Sequence, residues 1–125
     1  MNVIKKAAQR LGEAAAAVRG VRVYPDIGPG VSPPAVVIGP PALTWEALPG
    51  CGGEPTSGRY PVYVVVGDDP DRALPQLLDL VLAVAAALDA VDDAVVGRAE
   101  PTLYPSSGAD LPAYQIQVDM ALGGD

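Results

Sequence analysis

Residues 23 to 41, VYPDIGPGVSPPAVVIGPP, limit the possible folds more than any other part of the chain, because they contain six prolines and three glycines. A proline has no amide hydrogen, so this segment is poor in the hydrogen bonds that helices and inner strands need. Prolines also stiffen an exposed segment and withhold donors at a sheet edge. Two interpretations stay open: an ordinary long loop, or a rigid segment that docks against a partner.

The length of 125 residues predicts a single domain over residues 1–125, large enough to bury one core. Half of the residues are apolar, but there is no Phe and only one Trp, so the core must be built mainly from Ala, Val and Leu. Such a core gains little free energy per residue, and contacts with neighbouring subunits would add to it.

The composition excludes several classes of function. Without any His, the usual general base and the commonest zinc ligand are missing. A single cysteine, Cys51, cannot form an intrachain disulfide or a cysteine cluster. The net charge of −7 argues against a nucleic-acid-binding surface, which needs Lys and Arg to neutralise phosphates. The longest apolar run, residues 80–88, is too short to span a bilayer. We therefore expect a soluble cytoplasmic protein that is not an enzyme and holds no cofactor or metal.

The hydrophobic pattern predicts two helices. The first covers residues 2–18 and stops at Gly20. Its predicted apolar face is formed by Ile4, Ala7, Ala8, Leu11, Ala15 and Val18. The second starts with Asp69 as N-cap and Pro70 at the first helical position, and Pro75 is expected to kink its first turn. One broad apolar face is predicted for this second helix, formed by Leu74, Leu77, Leu78, Val81, Leu82, Ala85 and Leu88.

Apolar, β-branched runs predict the strands, which lie at residues 21–24, 34–39, 44–48, 59–67, 95–104 and 112–122. The piece at 44–48 has the weakest pattern. Pro61 is expected at the start of its strand or on a sheet edge, and residues 105–111 form the turn between the last two strands. The predicted fold is α+β, with two helices packed on one face of a mostly antiparallel or mixed sheet, in the order α-β-β-(β)-β-α-β-β.

Acidic and glycine-rich clusters give only weak indications of chemistry. Asp68, Asp69 and Asp71 could hold a cation, but acids at a helix N-terminus are explained by capping alone. The glycines at 28–30 and 50–53 match no phosphate-binding motif. Ser106 and Ser107 have no base to activate them.

Large or charged residues near the glycine-rich loop at residues 49–58 are the candidate contacts. Trp45 and Tyr60 flank this loop and are the large side chains most available to anchor a partner, with Glu54 between them. Packing on a sheet edge would explain both aromatic residues equally well. Asp119 lies on the polar face of the last strand, which faces solvent, a lumen or a neighbouring subunit.

The order of these segments resembles the tail terminator (tail completion) proteins of long-tailed phages, especially those of actinobacterial hosts. The features that carry the resemblance are an N-terminal amphipathic helix leading into GVRVY, then PPAVVIGPP, then RYPVYVVVGDDPDRA before a helix, then VGRAEPTLY and YQIQVDMAL. The resemblance covers essentially the whole chain.

The resemblance implies a structural role in the virion, at the head-proximal end of the tail, after assembly in the host cytoplasm. Such proteins form a ring, usually a hexamer, that stops polymerisation of the tail tube and joins the tail to the neck. Its partners would be further copies of the chain, the tail tube protein and a neck or head-completion protein, with no membrane involved. DNA would pass through the lumen without specific binding, so we expect a neutral to acidic lumen, with Asp119 or Glu54 facing it.

Two alternatives stay open. A head-completion or connector protein of the neck would also be small, acidic and without catalytic residues. A small-ligand-binding domain, unrelated to phages, is favoured by no motif of the sequence.

Overall fold

The computed structural model describes residues 2–25, 27, 30–46, 53–106 and 108–122. They form two helices and a mixed six-stranded sheet, which confirms the α+β prediction. The elements are α1 (Val3–Ala16), β1 (Arg22–Tyr24), β2 (Ala35–Ile38), β3 (Ala42–Thr44), β4 (Ser57–Val65), α2 (Ala73–Asp89), β5 (Ala94–Ser106) and β6 (Ala109–Ala121). Neither helix is long and apolar enough, over the residues described, to cross a bilayer.

The strands follow the spatial order β1-β2-β4-β6-β5, and β3 pairs with the first part of β4. Only β1 and β2 are parallel, and every other pair is antiparallel. α1 packs mainly on β1 and β2, whereas α2 packs on β4, β5 and β6. Both helices lie on one face of the sheet, which we call the helix face, and the other is the open face.

The main core lies between the helices and the helix face. α1 buries Ala7, Leu11 and Ala15, which confirms the predicted apolar face, and Asn2 caps this helix by accepting the N–H of Lys5. A second, smaller core lies on the open face and contains Val37, Val65, Tyr104 and Ala113. Because β2 is buried on both sides, all four of its residues are apolar.

The proline-rich segment surrounds this buried strand. The peptide bond between Pro33 and Pro34 is cis and directly precedes β2. Before it, the hydroxyl of Tyr24 accepts the N–H of Ser32 at 2.9 Å, and Val31 packs against the smaller core. Part of the segment is therefore the connection between two parallel strands, not a free loop.

Pro61 lies in the middle of β4, an inner strand, so its predicted place at a strand start or edge is wrong. Its carbonyl oxygen accepts the N–H of Gly39 at 2.8 Å, so the missing N–H points to the same side. There β2 has ended at Ile38 and β3 begins only at Ala42. Pro61 is tolerated because it faces this gap and removes no ladder hydrogen bond.

The closing hairpin is longer than predicted, since β5 and β6 extend to Ser106 and Ala109 through the expected turn at 105–111. Pro112 lies inside β6, and its carbonyl oxygen accepts the N–H of Val66 from the β4 side. Its missing N–H therefore also points away from β5, just beyond the last residue of β4 that pairs with β6. The hairpin ladder is left intact.

Two predicted boundaries are wrong. α2 begins at Ala73, because residues 69–72 form a separate turn in which the Asp69 carboxylate accepts the N–H of Asp71. Pro75 then lies in the first turn of α2, where no intrahelical N–H bond is needed. The strand predicted at 44–48 ends at Thr44 instead, and its last two positions lie outside the described residues.

Candidate interaction surfaces

Trp45 and Glu54, two of the predicted contact residues, lie at the same corner of the molecule. The Trp45 indole N–H donates to the carbonyl oxygen of Gly53 at 2.9 Å, and Thr44 and Thr56 are hydrogen-bonded just beside it. The Trp45 side chain is 54% exposed and Glu54 is also exposed. An exposed indole held in place by its own N–H offers a rigid apolar surface to a partner.

Tyr60 belongs to the core, so its predicted availability as a contact residue is wrong. Its side chain is fully buried between α1 and the sheet, and its hydroxyl donates to the Ile4 carbonyl oxygen at 2.8 Å. Burial raises the pKa of Tyr60 above its ordinary value. Alternation along β4 places Tyr60 on the same side as the buried Val62 and Val64, and this signal could have identified it as a core residue.

Asp119 lies on the open face and is not an isolated acid. Its carboxylate accepts a hydrogen bond from the Arg59 side chain at 3.0 Å. On the neighbouring strand, Arg98 and Glu100 form a second ion pair at 2.9 Å. This part of the open face is therefore polar with its charges paired, although exposed pairs of this kind contribute only about 0–1 kcal/mol each to stability.

α2 carries an apolar surface that the monomer does not cover. The predicted broad face divides in two: Leu77, Val81 and Leu88 are buried and Ala85 partly so, whereas Leu74, Leu78 and Leu82 are 60%, 42% and 72% exposed. Val84, which the predicted face did not include, is also buried. The second set recurs every four residues and forms one ridge along the helix, which we call the leucine stripe. The leucine stripe lies on one side of the buried face of α2. Leu80 lies on the other side of that face and packs against the core.

An apolar groove lies on the other half of the molecule, between α1 and the chain around β2. Its volume is about 380 Å³. The lining combines α1, the segment after β1, the bend after β2 and the floor residue Tyr60: Ile4, Lys5, Ala8, Pro25, Ile27, Ile38, Gly39, Pro40, Pro41 and Tyr60. Among the described residues of this lining, Lys5 is the one that carries a charge. The prolines that flank β2 thus form part of a concave surface, which sequence periodicity does not reveal.

The two helices differ in charge. Residues 3–19 contain four basic residues and one acidic residue, whereas residues 68–93 contain seven aspartates and one arginine. Within one chain, Arg10 of the first segment donates to the Asp92 carbonyl oxygen and lies 4.0 Å from the Asp93 carboxylate of the second. The segment that carries the leucine stripe is therefore acidic, and the helix that lines the groove is basic.

The described residues offer little for catalysis or metal binding. Among them, no three acidic or cysteine side chains are close enough together to hold a metal ion. The bond from the Asp71 N–H to the Asp69 carboxylate fits capping of a turn. Cys51 and Ser107 lie outside the described residues. What the described residues present are an exposed indole, a leucine stripe and an apolar groove.

Comparison with known proteins gives no family assignment: no protein-family model and no curated protein matches this sequence.

Proposed function

We propose that the chain is a tail terminator protein, which forms a ring on the head-proximal end of a phage tail tube, stops tube polymerisation and joins the tail to the neck. The observation that carries the proposal is the order of elements: an amphipathic helix, a proline-flanked buried strand, a central strand, a second helix and a closing hairpin. The resemblance rests on the same order of segments in the sequence.

Two features of the surface support a role in assembly. A stripe of three leucines is left exposed on a helix of a small domain, and such apolar patches mark sites of protein contact. Trp45 is exposed and oriented by its hydrogen bond to Gly53, as expected of an anchor residue. In the proposed ring, Trp45 and Glu54 contact a neighbouring copy or the tube.

The proposal also has an electrostatic part. Every copy carries a net charge of −7, so a ring of copies is strongly anionic and repels DNA in transit. On the open face, Arg59 and Arg98 are each paired with a carboxylate, which suits a lumen that lets DNA pass. Clustering of Arg22, Arg59, Arg72 and Arg98 at the narrowest point of an assembled ring would contradict this part.

Electron microscopy of tube assembly tests the function. The matching tail tube protein is polymerised with and without this chain, and the expected result is a ring on one tube end and no further growth from that end. Unrestricted tube growth, with no added density at stoichiometric amounts, would contradict the proposal. A ring bound to the portal and not to the tube would assign the chain to the neck as a connector.

Substitution of the anchor gives a more specific prediction. Trp45→Ala is expected to weaken capping at least ~10-fold, as loss of an interface anchor does. Val95→Ala is the matched control, because Val95 is 61% exposed and lies on β5, away from Trp45. Equal capping by both variants would remove Trp45 from the interface.

A further inference from the structure

We infer that the leucine stripe of one copy docks in the apolar groove of the next, so that copies join head to tail through two different surfaces. The occupant of the groove is thus the α2 flank of a second copy of this chain. This inference deepens the proposed ring and rests on it for the closure of the assembly.

The leucine stripe and the groove lie on different halves of the subunit. The leucine stripe belongs to α2, which packs on the β4–β6–β5 half of the sheet. The groove belongs to α1 and to the chain around β2, at the half that ends in β1. Since the surfaces lie on different halves of the same subunit, each copy can use both at once, and chains of copies can form.

The leucine stripe and the groove are complementary in shape. The stripe is convex, with three leucines spaced by one helical turn over about 12 Å, at a rise of about 1.5 Å per residue. The groove is concave, with apolar walls contributed by Ile27, Pro40 and Pro41. The prolines of the groove are stiff, and Gly39 is packed so closely that a Cβ on it would lie 2.8 Å from the Pro61 ring. The walls of the groove therefore have little freedom to collapse. A preformed groove loses little conformational entropy when it binds.

The charges around the two surfaces favour head-to-tail contact over a symmetric dimer. If the stripes of two copies packed on each other, two aspartate-rich segments, each with seven aspartates and one arginine, would meet. If the stripe packs in the groove, Asp71 and Asp79 of one copy instead approach the basic α1 segment of the next, where Lys5 lines the groove. Complementary charge favours the second arrangement and penalises the first.

Complementation between two defective variants tests the inference. The stripe variant carries Leu78→Asp with Leu82→Asp and keeps its groove, and the groove variant carries Lys5→Glu with Ile27→Asp and keeps its stripe. The four altered side chains are exposed, so both variants are expected to fold, which is checked by circular dichroism and thermal unfolding. Val95→Asp serves as the control outside both surfaces.

Sedimentation velocity and native mass spectrometry, at protein concentrations up to the millimolar range, give the readout. Wild type and Val95→Asp are expected to form oligomers larger than dimers, and each double variant to associate at least ~30-fold more weakly. An equimolar mixture of the two double variants is expected to form a 1:1 heterodimer that grows no further, since it contains one intact stripe facing one intact groove.

Three results would overturn the inference: a wild type that stays monomeric at these concentrations, double variants that associate like wild type, or a mixture that stays monomeric. A symmetric interface, for example, gives no rescue on mixing. Tube capping is measured separately with wild type. Heterodimer formation without any capping would contradict only the proposed function, whereas capping without complementation would contradict only this interface.

Discussion

The two helices lie side by side on the same sheet but divide their apolar residues differently. In α1, the fully buried positions Ala7, Leu11 and Ala15 lie on one face, and charged residues such as Lys6 and Glu13 lie in solvent. In α2, leucines occupy both the buried face and the flank beside it. The large apolar side chains of α1 are thus buried or half-buried, whereas α2 also exposes leucines beside its buried face.

This difference separates folding from assembly within one molecule. Burial of apolar surface stabilises the fold only where the monomer excludes water, and leucines left in water contribute little to it. The leucine stripe thus contributes little to the stability of the isolated subunit. Its residues become useful when a second surface covers them, which is the physical basis of both proposals above.

The largest expected effects come from the buried positions of both helices. Leu11→Ala in α1 and Leu88→Ala in α2 each leave a cavity in the core, and each should lower the free energy of unfolding by about 2–5 kcal/mol. Urea unfolding followed by circular dichroism measures this. A cost below about 1 kcal/mol at either position would show that this helix does not pack as described.

A sequence pattern cannot by itself determine which leucines of α2 are buried and which are exposed. Leu77, Leu78 and Leu80 have the same chemistry and lie within one turn, and only the position of α1 and the sheet determines which of them is covered. The buried alternation of β6 and the amphipathic pattern of α1 could be predicted, because each has one covered side that is set by the strand or helix period.

Two prolines mark errors in the predicted fold. Pro61 is predicted at a strand start or a sheet edge and Pro112 at the first position of its strand, yet both lie inside strands. Each is tolerated because the side of the strand that lacks the N–H faces a place where the neighbouring strand is missing or has ended. The groove could not be predicted either, since it requires α1 and the bend at Gly39 to meet across the sheet.

An intermediate effect is expected where α1 is attached to the sheet by Tyr60. Tyr60→Phe removes the hydrogen bond to the Ile4 carbonyl oxygen and should cost about 1 kcal/mol at neutral pH. The pKa of Tyr60 is raised in the folded state, so its contribution is fully present below the unfolded value near 10 and is lost as the pH rises through the folded pKa. The cost of the substitution should therefore shrink above pH 10.

Tyr24→Phe is the control, because its effect on stability is expected to change with pH in the opposite direction. The Ser32 N–H, which donates to the Tyr24 hydroxyl, lowers the pKa of Tyr24, so its contribution grows as the pH rises toward the unfolded value. Unfolding in urea between pH 8 and 11 compares the two variants with wild type. A cost of Tyr60→Phe that is independent of pH would show that this hydroxyl is not buried in the folded state.

The smallest effect on the monomer is expected at the leucine stripe. Leu82 is 72% exposed, and Gln has nearly the helix propensity of Leu, so Leu82→Gln should change the free energy of unfolding by no more than about 0.5 kcal/mol. Leu80→Gln is the matched comparison two positions away, because Leu80 packs against the core and should cost more. Urea unfolding at low micromolar concentration, where copies are separate, measures both. Equal costs would mean that Leu82 is covered within its own subunit, and the contrast between the two helices would then be lost.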